Sequence, residues 1–240
     1  LIGLVGSEMC IRDREIGQFY GWVYEGIART QEVLDNHATQ EGAQIGDCLY
    51  KDVNNDGKVD SEDQVVLGSG MPKINFGLNA RFEYKRFDLS IATFGALNYH
   101  VSDDIYNSLN SCYGWGNKEV GMLDANRFSE DGSTYLSNVP RTYVTNSASL
   151  GWNDLFSSRK IQNAAYWKIA NVELGYNFPD KWFDKYVSDV RFYISAQNLH
   201  TFTGYHGYNV DYAGGTFTPG YNFCSYPTAR TFMCGVHFTF

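Results

Sequence analysis

The sequence predicts an all-β protein, namely the C-terminal portion of an antiparallel transmembrane β-barrel. Three observations lead to this prediction. Apolar and polar residues alternate along stretches of about ten residues, short and long connections alternate between those stretches, and the final stretch ends in aromatic residues. In such barrels the turns on one side of the membrane are short and the loops on the other side are long. We expect about six to eight strands in this chain.

The first two long strands form a predicted hairpin. The stretch NFGLNARFEYK places Phe76, Leu78 and Phe82 on one face, and polar residues occupy the other face. After a tight reversal near Arg86, FDLSIATFGALNY resumes the alternation. Ten residues at ~3.3 Å each, tilted by roughly 40°, would cover an apolar band of about 25 Å.

Three further strands follow, with the sequences YWKIANVELGYNF, VRFYISAQNLHTF and RTFMCGVHFTF. Strict alternation would place Ala170, Val172 and Leu174 on the apolar face of the first of them. The connections at 101–165 and 204–228 are long, whereas the connection at 179–189 is short, as the barrel topology requires. Four polar residues are expected to face the barrel lumen: Arg81, Glu83, Arg191 and Gln197.

The last strand carries hydrophobic residues at alternate positions and ends in an aromatic residue. Closing strands of outer-membrane barrels characteristically end this way, so we interpret this pattern as a barrel assembly signal. The residues concerned are Phe232, Val236, Phe238 and Phe240. The alternative is a soluble protein whose last strand packs into its own core.

Composition and motifs exclude several classes of function. The net charge is −8 without a basic cluster, which gives no support for a nucleic-acid partner. Apolar runs stay shorter than the roughly 18 to 20 residues that a membrane helix needs. The five cysteines form no CxxC pair, and the sequence shows no catalytic triad order, phosphate-binding loop or zinc motif. We therefore predict that the protein is not an enzyme.

The stretch DVNNDGKVDSED, at 52–63, has the spacing of a calcium-binding loop. Gly57 stands where such loops turn sharply, and the flanking segments lack the helices of intracellular calcium sensors. The predicted ligands are Asp52, Asn54, Asp56, the Lys58 carbonyl, Asp60 and Asp63. A metal-free acidic turn held by Asp and Asn side-chain hydrogen bonds is the alternative.

Aromatic residues in the two long connections are candidates for contact with a ligand or a partner, because rings stack on sugar and peptide faces. The same residues can instead pin long loops together. The candidates are Trp115, Tyr113, Tyr135, Trp152, Tyr205 and Tyr208.

Residues 1–14, LIGLVGSEMCIRDR, fit nothing that follows. They resemble the translation of a sequencing adapter, and we treat them as non-native. Residues 15–240 then form the barrel portion, with the acidic loop at 52–63 as an extracellular insertion.

The chain resembles SusC/RagA-type TonB-dependent transporters from about Ile16 to Phe240. IGQFYGWVYEGI resembles the family segment before its acidic loop, and GDCLYKDVNNDGKVDSEDQVVLG resembles the family's GD..YKD.NGDG.ID..D...IG signature. The predicted strands match successive barrel segments in family order. Cys48 departs from the family pattern, which usually has an aliphatic residue there.

This resemblance implies a 22-stranded barrel in the cell outer membrane, in contact with outer-membrane lipid, with a plug inside it. It also implies import of glycans or peptides, a SusD-like lipoprotein as lid, and the TonB complex acting through N-terminal regions that this chain lacks. A structural Ca²⁺ in the extracellular acidic loop would suit the millimolar calcium outside cells. A secreted calcium-dependent glycan-binding or adhesion module with a β-sandwich fold is the alternative function.

Overall fold

The computed structural model describes residues 15–112, 117–122, 128–129, 137–141, 151–179, 189–211, 214–215 and 217–239. The chain divides into two compact units. The sheet unit comprises Pro72–Tyr99, Asn163–Tyr212 and Ser225–Phe240, and the loop unit comprises Leu1–Met71, His100–Gln162 and Ala213–Cys224. In the described ranges, no helix has the length and apolar character needed to cross a membrane.

The described elements are mostly strands. In chain order the strands are β1 (Gln18–Gly21), β2 (Tyr24–Ile27), β3 (Cys48–Tyr50), β4 (Val65–Ser69), β5 (Ile74–Tyr84), β6 (Phe87–Leu97), β7 (His100–Asp103), β8 (Gln162–Asn163), β9 (Tyr166–Asn177), β10 (Asp189–Thr203), β11 (Tyr221–Asn222) and β12 (Thr231–Thr239). The α-helices are α1 (Gln31–Asn36) and α2 (Asp104–Leu109). Short 3₁₀ helices occupy Ser61–Asp63, Val120–Met122, Trp152–Asp154 and Ser158–Lys160.

The sheet unit is built on one antiparallel sheet of five strands in the order β12-β10-β9-β6-β5. Its strands follow the predicted stretches, and this confirms the all-β antiparallel fold class. Because side chains alternate between the two faces of a strand, the pairing aligns the apolar positions into rows. One such row consists of Phe82, Leu89, Leu174, Ile194 and Cys234.

Connections at the two ends of the sheet differ in length as predicted. Tyr84 pairs with Phe87, so the chain between β5 and β6 reverses within two residues, and Lys85 adopts φ +57° to permit this turn. The connection from β9 to β10 at this end is also short. The connections from β6 to β9 and from β10 to β12 leave from the other end and contain the long segments.

The prediction that Ala170 continues the apolar row was wrong. Val172 pairs with Ile91, but the next pair along the row is Ile169 with Thr93, because the register shifts by one residue. A matching shift occurs in β10 between Gln197 and His200. Such bulges insert a residue and move every following side chain to the opposite face.

The loop unit has its own small sheets and aromatic core. Strand β1 pairs with β4, β2 pairs with β3, and β7 pairs with β11. Phe19 is fully buried and makes an edge contact with Tyr221 at 5.2 Å between ring centroids. A second cluster forms around Cys48, Tyr50 and Val59. These clusters hold irregular segments that lack extended sheets of their own.

Candidate functional site

A charge network lies on the polar face of the five-stranded sheet. The Arg191 guanidinium on β10 donates from Nη2 to Asp88 Oδ2 at 2.5 Å and to Glu173 Oε1 at 2.7 Å. Its Nε also donates to Asp88 Oδ1 at 3.2 Å. The Asp88 side chain is only 8% exposed. Two carboxylates, one on β6 and one on β9, therefore share one arginine.

This network reaches across the middle strand because Gly175 has no side chain. Asp88 lies opposite Gly175 in the pairing of β6 with β9. A Cβ at Gly175 would stand 2.4 Å from Asp88 Oδ1 and 2.5 Å from Arg191 Nη2, far closer than real Cβ contacts. The glycine thus provides the space in which the ion pair forms. Arg191 was predicted to face the lumen on the polar side, and the network places it on that face of the sheet.

The remaining predicted lumen residues are more exposed. Arg81 and Glu83 on β5 form an ion pair at 2.8 Å, with both side chains mostly in solvent. Gln197 on β10 is exposed and lies opposite Asn171. These residues share the polar character of the network without its burial.

The acidic loop at 52–63 is ordered by hydrogen bonds from its own backbone. Asp52 accepts from the N–H groups of Asn55 and Gly57 at 2.6 and 2.8 Å, and Asn54 Oδ1 accepts from Asp56 N–H at 2.9 Å. The sharp turn falls at Gly57, which adopts φ +83°, a conformation that favours glycine. The side-chain oxygens at loop positions one, three and five are thus turned toward the loop.

Asp63 closes this loop from a fully buried position. Its carboxylate accepts from Val53 and Asn54 N–H at 2.8 and 3.3 Å and from Asp60 N–H at 2.9 Å. Burial alone would raise the pKa of Asp63, but these backbone donors and a hydrogen bond with the Asp52 side chain hold the pKa below its usual value. Asp52 and Asp63, the first and last predicted ligands, therefore lie side by side.

Two non-local contacts fix the loop within its unit. Thr39 and Lys58 form a parallel bridge, and Trp22 Nε1 donates to the Asp60 carbonyl at 2.9 Å. Val59 is buried in the cluster with Cys48 and Tyr50. In the described part of the chain, no group of three or more His, Cys, Asp and Glu side chains takes up a metal-holding arrangement. The calcium site stays a prediction.

The predicted aromatic contact residues differ in accessibility. Trp152 packs on the Tyr50 cluster and donates from Nε1 to the Glu41 carbonyl at 2.9 Å. Tyr205 is buried, whereas Tyr208 is 69% exposed. Three candidates lie outside the described residues: Tyr113, Trp115 and Tyr135. Contact with a ligand or partner stays a prediction for the whole set.

Strand β12 carries the predicted assembly signal and pairs with β10 along its whole length. Phe232, Val236 and Phe238 lie opposite Ala196, Phe192 and Val190, so they extend the apolar rows to the last strand. Phe240 and residues 1–14 lie outside the described residues, and their predicted roles stay predictions.

An antiparallel meander with one apolar face, one polar face and long connections at a single end has the architecture of a β-barrel wall. No protein-family model matches the sequence. The chain is 29% identical over 234 residues to TonB-dependent receptor P3 of Formosa agariphila. This match covers 94% of the chain and 22% of that receptor. The chain is 26% identical over 194 residues to TonB-dependent receptor SusC of Bacteroides thetaiotaomicron, across 80% of this chain and 17% of SusC.

Solved structures agree on the fold. The RagAB peptide transporter matches 93% of this chain with a TM-score of 0.72 at 18% identity, and the match covers 22% of the RagAB chain. RagAB in the closed-closed state matches with a TM-score of 0.68. The similarity to TonB-dependent receptors over most of this chain, together with the fold that it shares with RagAB, supports the predicted resemblance to part of a SusC/RagA-type TonB-dependent transporter. The chain spans about a fifth of the length of the relatives it matches.

Sequence reasoning missed three charged residues that form ion pairs in the structure. Asp88 and Glu173 join the Arg191 network. Lys168 is 4% exposed and ion-paired with Asp211. The pairs join residues far apart in sequence, and alternation gives no signal for them because it fixes the face of a residue but not its neighbours on other strands.

Proposed function

We propose that the sheet unit forms part of the wall of an outer-membrane β-barrel whose complete protein imports oligosaccharides or peptides. The observation that carries this proposal is the continuous apolar face of five paired strands, in which rows such as Phe82, Leu89, Leu174 and Ile194 run without a charged residue. Lipid would cover this face, and the face with the Arg191 network would line the lumen. The names of the relatives, which are receptors and transporters, support the same class.

A matched pair of substitutions on β10 tests the placement in the membrane. Ile194→Arg puts a charge on the proposed lipid face, and Gln197→Arg puts the same charge on the polar face; both wild-type side chains are exposed. An arginine that faces lipid near the membrane midplane costs about 2 to 4 kcal/mol. We therefore expect Ile194→Arg to lower the stability of the protein folded in lipid vesicles by that amount, measured by urea titration of tryptophan fluorescence. Gln197→Arg should cost less than about 1 kcal/mol. Equal effects of the two changes would contradict the proposal.

We infer that the complete transporter works with a SusD-like lipoprotein and draws energy from the TonB complex. The similarity to SusC and to RagAB supports this inference. The test is copurification of the complete receptor with the lipoprotein encoded beside it, followed by uptake of labelled oligosaccharides and labelled peptides with that lipoprotein deleted. Undiminished uptake after the deletion would contradict the partner, and the substrate that accumulates in the intact strain identifies the class of cargo.

We also propose that the acidic loop binds a structural Ca²⁺. Its support is the pair of carboxylates, Asp52 and Asp63, held next to each other inside the loop. A divalent cation could bind between two carboxyl groups held this close together. Asp52, Asn54, Asp56, Asp60, Asp63 and the Lys58 carbonyl would supply the hard oxygen ligands that Ca²⁺ prefers.

Thermal unfolding in Ca²⁺ and in a chelator tests this site. Wild type should unfold at a higher temperature in millimolar Ca²⁺, and Asp52→Ala should lose the increase. Glu62→Ala is the matched control, because Glu62 is an exposed acid of the same loop outside the proposed ligand set. An increase that persists in Asp52→Ala, or one that Glu62→Ala abolishes equally, would argue against the site.

A further inference from the structure

The loop unit contains a polar cavity of about 60 Å³. Its lining includes Tyr50, Asn107, Asn153, Asp154, Arg159 and Lys160. One water needs roughly 10 to 15 Å³ measured in this way, so the space would hold several waters or one small polyatomic group. All of these residues belong to the loop unit, and none of them is a predicted ligand of the acidic loop at 52–63.

Arg159 lines this cavity and has no carboxylate partner among the residues that the structure describes. In the described part of the chain, its hydrogen bonds run from Nη1 to the sulfurs of Cys48 and Cys112, at 3.8 and 3.7 Å. Its guanidinium also lies 5.9 Å from the centroid of the Tyr24 ring. The Nε–H and both N–H groups of Nη2 have no partner among the described residues. This side of the guanidinium, with two parallel donors, is the one that binds carboxylates and related oxyanions in a bidentate manner.

The nearby carboxylates are paired with other cations. Asp154 is ion-paired with Lys160 at 2.8 Å, and Asp47 is ion-paired with Arg141 at 2.5 Å. Burial raises the pKa of the Cys48 thiol to about 12, with the Arg159 charge opposing this effect, so Cys48 is neutral at physiological pH. Because Lys160 and Asp154 cancel, the cavity lining carries the uncompensated positive charge of Arg159. Buried charges in proteins are paired as a rule.

We propose that this cavity is an anion-binding site in which Arg159 binds the carboxylate or sulfate group of a soluble ligand through Nε and Nη2. A carboxylate and a sulfate each present two oxygens on one side, and such a pair of oxygens fits the planar guanidinium of an arginine. A halide presents one acceptor centre to both donors, whereas a carboxylate or sulfate presents a separate oxygen to each donor. This proposal does not depend on transport, since it concerns a cavity within the loop unit alone.

The experiment measures thermal unfolding of the purified chain in detergent with sodium acetate, sodium sulfate or sodium chloride at equal ionic strength. At about ten times the half-saturating concentration, acetate or sulfate should raise the unfolding temperature by about 3 to 6 °C over chloride. Arg159→Lys keeps the charge but removes the planar guanidinium, and we expect it to lose at least two thirds of this increase. Arg81→Gln, which removes an exposed arginine of the sheet unit, should retain the full increase.

A second measurement does not require any variant to fold. Phenylglyoxal modifies arginine side chains, and peptide mass spectrometry reports the rate at each position. Acetate or sulfate should slow the modification of Arg159 at least fivefold relative to chloride and leave Arg81 unchanged. An effect of acetate alone would assign a carboxylate ligand, and an effect of sulfate alone would assign a sulfate ligand. Equal modification of Arg159 in all three salts, or a temperature increase undiminished in Arg159→Lys, would overturn the proposal.

Discussion

Removal of the Arg191 guanidinium should destabilise the sheet more than any other single loss of charge on its polar face. In Arg191→Gln, Asp88 and Glu173 would remain as two carboxylates without their shared cation. Asp88 is largely buried, and Glu173 and Arg191 are each 26% exposed. Among the described residues, Arg191 is the ion-pair partner of Asp88, and Arg81 acts on Asp88 only through a weaker electrostatic interaction.

The magnitude follows from the geometry. Loss of one partner from a buried ion pair costs about 3 to 5 kcal/mol, because the other charge stays buried. Water reaches about a quarter of Arg191 and Glu173, and this screening lowers the expected cost to about 2 to 3 kcal/mol. Adding Asp88→Asn to Arg191→Gln should restore about 1 kcal/mol, since it removes the carboxylate that was left uncompensated.

The assay is equilibrium urea unfolding in lipid vesicles, followed by tryptophan fluorescence. Arg81→Gln is the control, because the Arg81–Glu83 pair is exposed and should contribute less than about 1 kcal/mol. Gly175→Ala offers an independent test, since its Cβ would separate Asp88 from Arg191 without any change of charge. If Arg191→Gln costs no more than Arg81→Gln, or if Asp88→Asn restores nothing, the shared arginine does not stabilise the sheet.

Two further predictions concern the loop unit. The pKa of Asp63 is lower in the folded state than the value of about 3.9 in an unfolded chain, so its stabilising effect is present above pH ~4 and is lost as the pH falls through the folded pKa. The difference in unfolding free energy between wild type and Asp63→Asn, measured by urea titration in chelator, should therefore shrink below pH 4. A difference that stays constant with pH would contradict this prediction. The buried Cys48 should react with iodoacetamide at least tenfold more slowly than the exposed Cys224 in the native protein at pH 8, because burial raises the pKa of Cys48 to about 12. Peptide mass spectrometry measures both rates. Comparable rates would show that the Cys48 thiol is accessible.

The sequence alone was sufficient for the strands of the sheet and their apolar faces, for a physical reason. Alternation has a period of two, and it is a local property that survives in every strand with one buried or lipid-covered face. The same reasoning failed where the period was interrupted. The shift that put Ile169 in place of Ala170 depends on the register of two neighbouring strands, which alternation in one strand does not encode.

The acidic loop shows the same division between local and distant information. Its internal hydrogen bonds join residues within a few positions, for example Asp52 with Asn55 and Gly57, and the motif predicts them directly. The contacts from Trp22 and Thr39 arise from other segments, and nothing in the motif specifies them. The surroundings of Arg159 are equally non-local, because Cys48 and Cys112 contact its guanidinium from positions more than forty residues away.

Glycines within the strands carry the information that alternation lacks. Glycine is unfavourable in strands unless another group lies close to its backbone. Tyr193 pairs with Gly175 on one side and Gly235 on the other, and a Cβ at Gly235 would stand 2.6 Å from the Tyr193 ring. Arg191 lies 5.6 Å from the same ring centroid. Large polar and aromatic side chains therefore lie flat over glycines of adjacent strands, so a glycine at a polar-face position of a predicted strand indicates a long side chain on its neighbour.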